Sequence, residues 1–429
     1  MAHVGTVIVY IIMACAVVGV IGAIRNEDEG IGFEFMEGVR QLGVLFIPIA
    51  GVMAAAPYIN KFIETCFTGL SHAIGADPCI WAGIILPPDM GGNIIAREMC
   101  SSMETWIVAL FIAFILGSGV TFGIPTSFFM VKKRDHKYLS LGLMAGIMAC
   151  PVGIAICCFS TILFDPKIRT EVATVGDPTY ALAMTAGTII VNLLPVIVIC
   201  ALITFGIWRF PEKMISGFMV FGKLLTACIN VVFILCVIEY FTGFMSMIWK
   251  GWGFDPILAD EVDYNRALEI GGYVAMMLAG AYPMMYLIEK YLGRFIARAA
   301  NKIGITSTGS MGIIASSVTL VAMFRAFEKM PPKDKVRSAA WAICGGYFLA
   351  DHLTYCYNFQ PELYASLALG KVLGGILAMV FVAIFCINTT EKLEAQDRAE
   401  GVIGPEEYVE VEAEVEEYYA RKRAKKAIG

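Results

Sequence analysis

The sequence predicts an all-α, polytopic membrane protein of about nine to eleven membrane segments. They form an inverted repeat with two re-entrant, broken-helix hairpins. Three observations predict this. First, 58% of the 429 residues are hydrophobic and 16% are charged, against roughly 25% charged in a soluble domain. Second, apolar runs of about 18 residues or more recur, each long enough to cross a ~30 Å hydrocarbon core as a helix. They lack the short alternating segments of a barrel. Third, two apolar stretches, 78–99 and 304–328, are too short and too interrupted by Gly, Ser, Thr or Pro to be simple spans.

Taken in order, spans are expected near 4–24, 41–59, 105–130, 138–164, 179–208, 213–240, 268–289, 338–357 and 363–387. The first run, "VGTVIVYIIMACAVVGVIGAI", has no cationic region before it and reads as a spanning helix rather than a cleaved signal. Each broken stretch follows an amphipathic one, 61–74 and 290–302, suited to lie along the membrane surface. The basic loops are "KKRDHK" (132–137), "WRFPEK" (208–213), "KYLGRFIARAANK" (290–302) and "KMPPKDKVR" (329–337). Placed in the cytoplasm, they put the N-terminus outside and the C-terminus inside.

A repeat is visible at an offset of 226 residues. "AAPY" (55–58) meets "AYPM" (281–284), setting Pro57 over Pro283, and "YLSLGLMAG" (138–146) meets "YASLALGKV" (364–372). Between these matches the two broken stretches align. An odd number of spans separates equivalent points, so the second half is inverted. The expected organisation is a first repeat, 1–165, carrying the hairpin 78–99. A linking helix, 179–208, leads to an inverted second repeat, 213–388, carrying the hairpin 304–328. A charged cytoplasmic tail, 389–429, follows. Inverted repeats with discontinuous helices are the pattern of secondary transporters, with substrate held near the midplane. The opposing reading is two kinked helices and a chance repeat.

In "LPPDMGGNIIAREM" (86–99), Pro87 and Pro88 end the incoming half-helix. Gly91 and Gly92 let the backbone turn and approach a ligand. A carboxylate at membrane depth costs about 2.5–3.5 kcal/mol on insertion scales and marks a functional candidate. Asp89, at the first hairpin tip, and Asp351, in "GGYFLADHLTY", are the two candidates, both suited to a cation. Asp89 could equally cap the segment that starts at Gly91 or Asn93, and Asp351 could lie exposed at the outer end of its span. Lys371, in "LALGKVLGG", either neutralises one of these carboxylates or snorkels to the interface. Lys223 is read as snorkelling. His352, next to Asp351, either titrates near neutrality or is simply hydrogen-bonded.

Aromatic faces suit an ammonium ligand, which singles out Trp81, Tyr282, Tyr347 and Tyr355 against the alternative of core or interface packing. Ser307, Thr308, Ser310, Ser316 and Ser317 could serve a hydroxyl, or be small for close helix packing. The 13 cysteines are scattered, with no CxxC and no Cys/His cluster, and no HExxH occurs. No metal and no cofactor is therefore expected.

Five stretches, taken in order, resemble the EutH-type ethanolamine permeases of bacterial ethanolamine utilisation. They are "DMGGNIIAREM" (89–99), "FPEKMISGFMVFGK" (210–223), "GAYPMMYLIEKYL" (280–292), "LADHLTY" (349–355) and "LALGKVLGG" (367–375). The resemblance covers roughly residues 5–388. It implies a multi-pass protein of the bacterial inner membrane that lets ethanolamine into the cell. It sets Asp89, Gly91, Gly92, Lys223, Asp351, His352 and Lys371 on family-like positions. The tail after 388 and the second hairpin, "STGSMGIIASSVTL" (307–320), depart from the pattern. The partners implied are ethanolamine and the lipid bilayer, with no nucleic acid; a homo-oligomer is an analogy with other hairpin-containing carriers.

Competing readings are a carrier of another small amine or amino acid, an intramembrane enzyme, and a membrane anchor or receptor for an enzyme assembly. Against the enzyme, the Gly-x-Gly-Asp signature of intramembrane aspartyl proteases is absent: Asp89 precedes its glycines and Asp351 follows "YFLA".

Overall fold

The computed structural model describes residues 2–259 and 266–428. Eight helices among the described residues are long and apolar enough to cross a membrane. The chain is an all-α, multi-pass membrane protein. Helices α1 (Ala2–Arg25), α2 (Gly30–Ala54) and α3 (Ala56–Ile74) lead into the first broken stretch. That stretch is two half-helices, α4 (Cys79–Ile85) and α5 (Asn93–Met99), joined by a buried turn. Next, α6 (Met103–Ile112) runs through two π-turns into α7 (Ile124–Met130), and α8 (His136–Phe164) follows. Two short antiparallel strands, β1 (Lys167–Ile168) and β2 (Tyr180–Ala181), precede α9 (Ala186–Arg209), α10 (Pro211–Thr242) and α11 (Phe244–Ile248).

The second half has α12 (Ala267–Asn301), then two half-helices, α13 (Ser307–Val318) and α14 (Leu320–Ala326). An interrupted pair follows, α15 (Pro332–Gly345) and α16 (Asp351–Phe359). Helix α17 (Tyr364–Phe381) runs through a π-turn into α18 (Ile387–Ala399), and α19 (Val409–Ile428) ends the chain. The same order of elements therefore occurs twice: a broken hairpin, an interrupted helix, then a long helix.

Both hairpins are closed at the base by a buried aspartate, with donor and acceptor exchanged between them. Asp77, just before α4, accepts from Ser101 N at 2.9 Å, Ser101 Oγ at 2.5 Å and Thr105 Oγ1 at 2.8 Å, all beyond the second arm. It also accepts from Cys79 N at 3.0 Å, at the start of the first arm. In the second hairpin the hydroxyl comes first. Thr306, before α13, donates its N–H and its Oγ1 to Asp334 at 2.9 and 2.7 Å. Asp334 lies beyond α14 and also pairs with Arg337 at 3.1 Å. Each clasp fixes the two arms at one end and leaves the tip free of it.

The long helices form the scaffold by close approach. A Cβ at Gly142 of α8 would lie 2.5 Å from Val336 O of α15, so the two backbones touch through a residue with no side chain. Trp106, Tyr138, Phe111 and Phe114 fill the core beside it. The 13 cysteines are all free, and most are buried as small core residues.

Several expected boundaries move. The expected span 338–357 is not one helix. It breaks after Gly345, and Tyr347 takes a left-handed φ of 62°. The "GG" at 345–346 weakens the helix there. The expected start of a span at 179 is instead strand β2. Helix α9 begins seven positions later, where the Thr185 hydroxyl accepts from Thr188 N at 3.1 Å. Pro57 opens α3 after a break, whereas Pro283 lies inside the continuous helix α12, so these aligned prolines do different work.

The tail is not a free solvated segment. Arg134 pairs with Glu407 at 2.6 Å, and Tyr408 Oη donates to Glu328 O at 3.0 Å. Buried Lys335 donates to Asp135 at 2.7 Å and to Tyr408 Oη at 2.9 Å. Ser307 Oγ donates to Glu414 at 3.0 Å. Glu407 and Tyr408, just before α19, thus dock onto the basic loops that the sequence places in the cytoplasm, and Glu414 of α19 holds the start of the second hairpin.

Candidate functional site

A cavity of about 410 Å³ lies where the two hairpin tips meet. Asp89 and Met90 reach it from the first tip and Thr319 from the second. Tyr347, Asp351 and His352 enter from the break between α15 and α16. Ser118 and Phe122 come from the π-turn region, Tyr282 from α12, and Thr226 and Asn230 from α10. Its lining contains two carboxylates and no Lys or Arg.

Local sequence explains each placement. Pro87 and Pro88 deny α4 its next backbone donors, and the chain leaves the helix at Leu86 in extended conformation. Met90 and Gly91 are non-helical, with Gly91 at φ +90°. A Cβ there would be strained and would also lie 2.6 Å from Val52 Cγ1. The turn therefore presents Asp89 to the cavity. No side chain caps α5, so the alternative of Asp89 as its N-cap is not what the structure shows.

The second tip is a single extended residue, Thr319, with φ −148° and ψ 134°. The carbonyls left over at the end of α13 are satisfied by the turn opposite. Tyr347 N donates to Ser316 O at 3.0 Å, and Leu349 N to Ser317 O at 2.9 Å. Ser316 and Ser317 hold the tip through their backbones and do not line the cavity. The hydroxyls of both turn back to Ile313 O, and Ser317 Oγ also accepts from Trp341 Nε1 at 3.1 Å.

Lys371 corrects an expectation. It is buried but meets neither aspartate in an ion pair. Its Nζ donates to Gly346 O at 2.9 Å and Cys344 O at 3.3 Å. These are carbonyls freed where α15 stops, so a fixed cation compensates the end of a broken helix. Trp81 is likewise outside the cavity. It stacks on Phe67, with ring centroids 4.3 Å apart, and donates to Ser71 Oγ at 2.9 Å. Tyr355 Oη accepts from Asn93 Nδ2 at 3.2 Å, and Asn93 Oδ1 accepts from Trp106 Nε1 at 2.8 Å. That network braces the start of α5.

His352 Nε2 and Ser118 Oγ are 3.1 Å apart, and the His352 ring lies edge-on to Phe114. Among the described residues, Tyr347 Oη and His352 Nδ1 are buried polar atoms without a hydrogen-bond partner. Tyr347 and Tyr282 supply aromatic surface beside the two carboxylates. Among the described residues no group of three or more His, Cys, Asp or Glu converges as a metal site would. Sequence reasoning missed Ser118, Thr226, Asn230 and Thr319. Only Thr319 carried a signal, as the residue that ends the Ser/Thr-rich run 306–319 of the interrupted second stretch.

The family model described as "Ethanolamine utilisation protein, EutH" matches residues 4–385. The chain belongs to the EutH family. The probable ethanolamine permease EutH of Listeria monocytogenes is 28% identical over 389 residues, covering 90% of this chain and 95% of that one. Those of Salmonella typhimurium and Escherichia coli are 27% and 28% identical over 386 residues, each covering 89% of this chain and 91% of theirs. These EutH relatives are named as permeases, not enzymes. No solved structure matches the chain. The EutH match includes both hairpins and stops in the π-turn between α17 and α18, before the docked tail.

Proposed function

We propose that this protein carries ethanolamine, as its ammonium form, across the bacterial inner membrane into the cell. The observation that carries this reading is the acidic cavity: two carboxylates, aromatic walls and no Lys or Arg, at the meeting point of two broken helices. A primary aliphatic amine resembles Lys and is protonated at neutral pH. Asp89 and Asp351 replace the water around the ammonium, and Tyr347 or Tyr282 offers a π face. The unpartnered Tyr347 hydroxyl suits the alcohol end. The relatives' names supply the substrate.

We further propose that the two halves are inverted, with α4–α5 entering from outside and α13–α14 from the cytoplasm, and with the N-terminus outside. Exposed Glu171 lies near the base of the first hairpin, paired with Arg97 at 3.2 Å, and exposed Lys329 lies beyond the end of the second. A membrane-impermeant thiol reagent is expected to label Glu171→Cys from outside and Lys329→Cys from the cytoplasm only. Labelling of both from one side would sink the inverted arrangement.

The function itself is tested by uptake of labelled ethanolamine into proteoliposomes holding the full chain. Saturable uptake is expected, inhibited by excess unlabelled ethanolamine and not by ethanol, which lacks the charge. Absence of uptake by folded protein would contradict the reading.

A further inference from the structure

A second cavity, of about 1100 Å³, opens between α8 and α18 on one side and α9 and α10 on the other. It shares no residue with the acidic cavity. Its character is the reverse: Lys133, Lys137 and Lys223 line it, with His136 and one carboxylate, Glu212. The walls between these charges are apolar, formed by Leu141, Met144, Ile215 and Met219.

The three lysines differ in commitment. Lys137 is bound to Asp397 of α18, beside the Tyr138 hydroxyl that donates to the same carboxylate. Among the described residues, Lys133 and Lys223 have no hydrogen-bond or ion-pair partner. His136 Nε2 is engaged with Val131 O at 2.9 Å. Lys223 is exposed and lies twelve residues into α10, roughly 18 Å along the helix from Pro211. Its Cα–Cβ bond tilts back toward the helix start, so the ammonium leans toward the basic end of the cleft. Trp208, 68% exposed, marks that end as interfacial. Arg209 and Lys213 flank it, both over the Phe210 ring.

A cleft with apolar walls and net positive charge matches one occupant. We propose that it binds a single anionic phospholipid from the leaflet that the basic loops face. The headgroup phosphate meets Lys133 and Lys223, and an acyl chain lies along Met144, Ile215 and Met219. Charge complementarity carries the assignment: a zwitterionic lipid gains nothing net from the lysines, and a cationic substrate is repelled. Basic recesses between membrane helices are where such headgroups bind, with each Lys or Arg near the surface worth about fivefold in affinity.

The test is intact mass spectrometry of the full chain after equilibration in detergent with equal amounts of phosphatidylglycerol and phosphatidylcholine. The wild type is expected to retain one phosphatidylglycerol in preference to phosphatidylcholine. Lys133→Gln with Lys223→Gln should weaken that retention about 25-fold. Glu212→Gln should strengthen it about fivefold, a gain that a damaged protein would not show. Equal retention of the two lipids by wild type would overturn the proposal. So would an unchanged preference in the double variant, or no gain in Glu212→Gln. A lipid-free dimer would also overturn it, in favour of a second copy on this face.

Discussion

Asp351→Asn is expected to raise the ethanolamine concentration for half-maximal uptake by roughly 10- to 150-fold, and Asp89→Asn to do the same. A hydrogen bond to a charged group is worth about 1.5–3 kcal/mol, and the lining offers no third carboxylate beside these two. Neither substitution should harm folding. Each removes a carboxylate that costs about 2.5–3.5 kcal/mol at membrane depth, and neither side chain caps a helix through a hydrogen bond. Thermal melting should therefore stay level or rise while uptake collapses. Wild-type uptake by either variant would remove that carboxylate from the site.

The largest loss of stability is expected at the hairpin bases. Asp77→Ala leaves Ser101 N, Cys79 N and the Thr105 hydroxyl without their acceptor. At about 1–3 kcal/mol for each group left unmet, the three total roughly 3–9 kcal/mol. Asp334→Ala strands Thr306 N and Oγ1 in the same way. The Asp77 clasp should also be acid-labile. Burial raises the Asp77 carboxyl, but hydrogen bonds from Ser101, Cys79 N and Thr105 outweigh it and hold the group below the usual carboxylate range. With the folded pKa below the unfolded value of about 3.9, its stabilisation is fully present above that value. It is lost as pH falls through the folded pKa. Melting of the purified chain from pH 7 down to pH 3 checks both points. Asp77→Ala should melt far below wild type at pH 7, and the gap should narrow in acid. A gap under about 1 kcal/mol at pH 7 would show that the clasp does not hold the hairpin.

The parts of this fold legible in sequence were those written in one dimension. Apolar length gave the spanning helices, and "PPDMGG" gave the first break, because proline and glycine act on their own backbone. The carboxylate cost made Asp89 and Asp351 stand out before any geometry was known. The break at 345–350 was hidden because the residues around its "GG" are as apolar as a span. Lys371 shows a different limit. A buried lysine is visible in sequence, but carbonyls freed by a helix end 25 residues away look like nothing in the letters, so a carboxylate seemed its natural partner. Trp81, Ser316 and Ser317 lie within the broken segments and were drawn in by that placement, yet their partners turn them into packing. The tail's docking depends on which loops fold beneath it, and its run of acidic then basic residues alone reads as a solvated cytoplasmic tail.

The central claim is that substrate sits where the two hairpin tips meet. The most direct measurement is thiol labelling of Met90→Cys and Thr319→Cys, one on each tip, in a chain whose exposed Cys66 and Cys228 have been replaced. Saturating ethanolamine is expected to slow labelling at both positions, with ethanol leaving both rates unchanged. Labelling unaffected by ethanolamine at both tips, in protein that still takes it up, would place the substrate elsewhere.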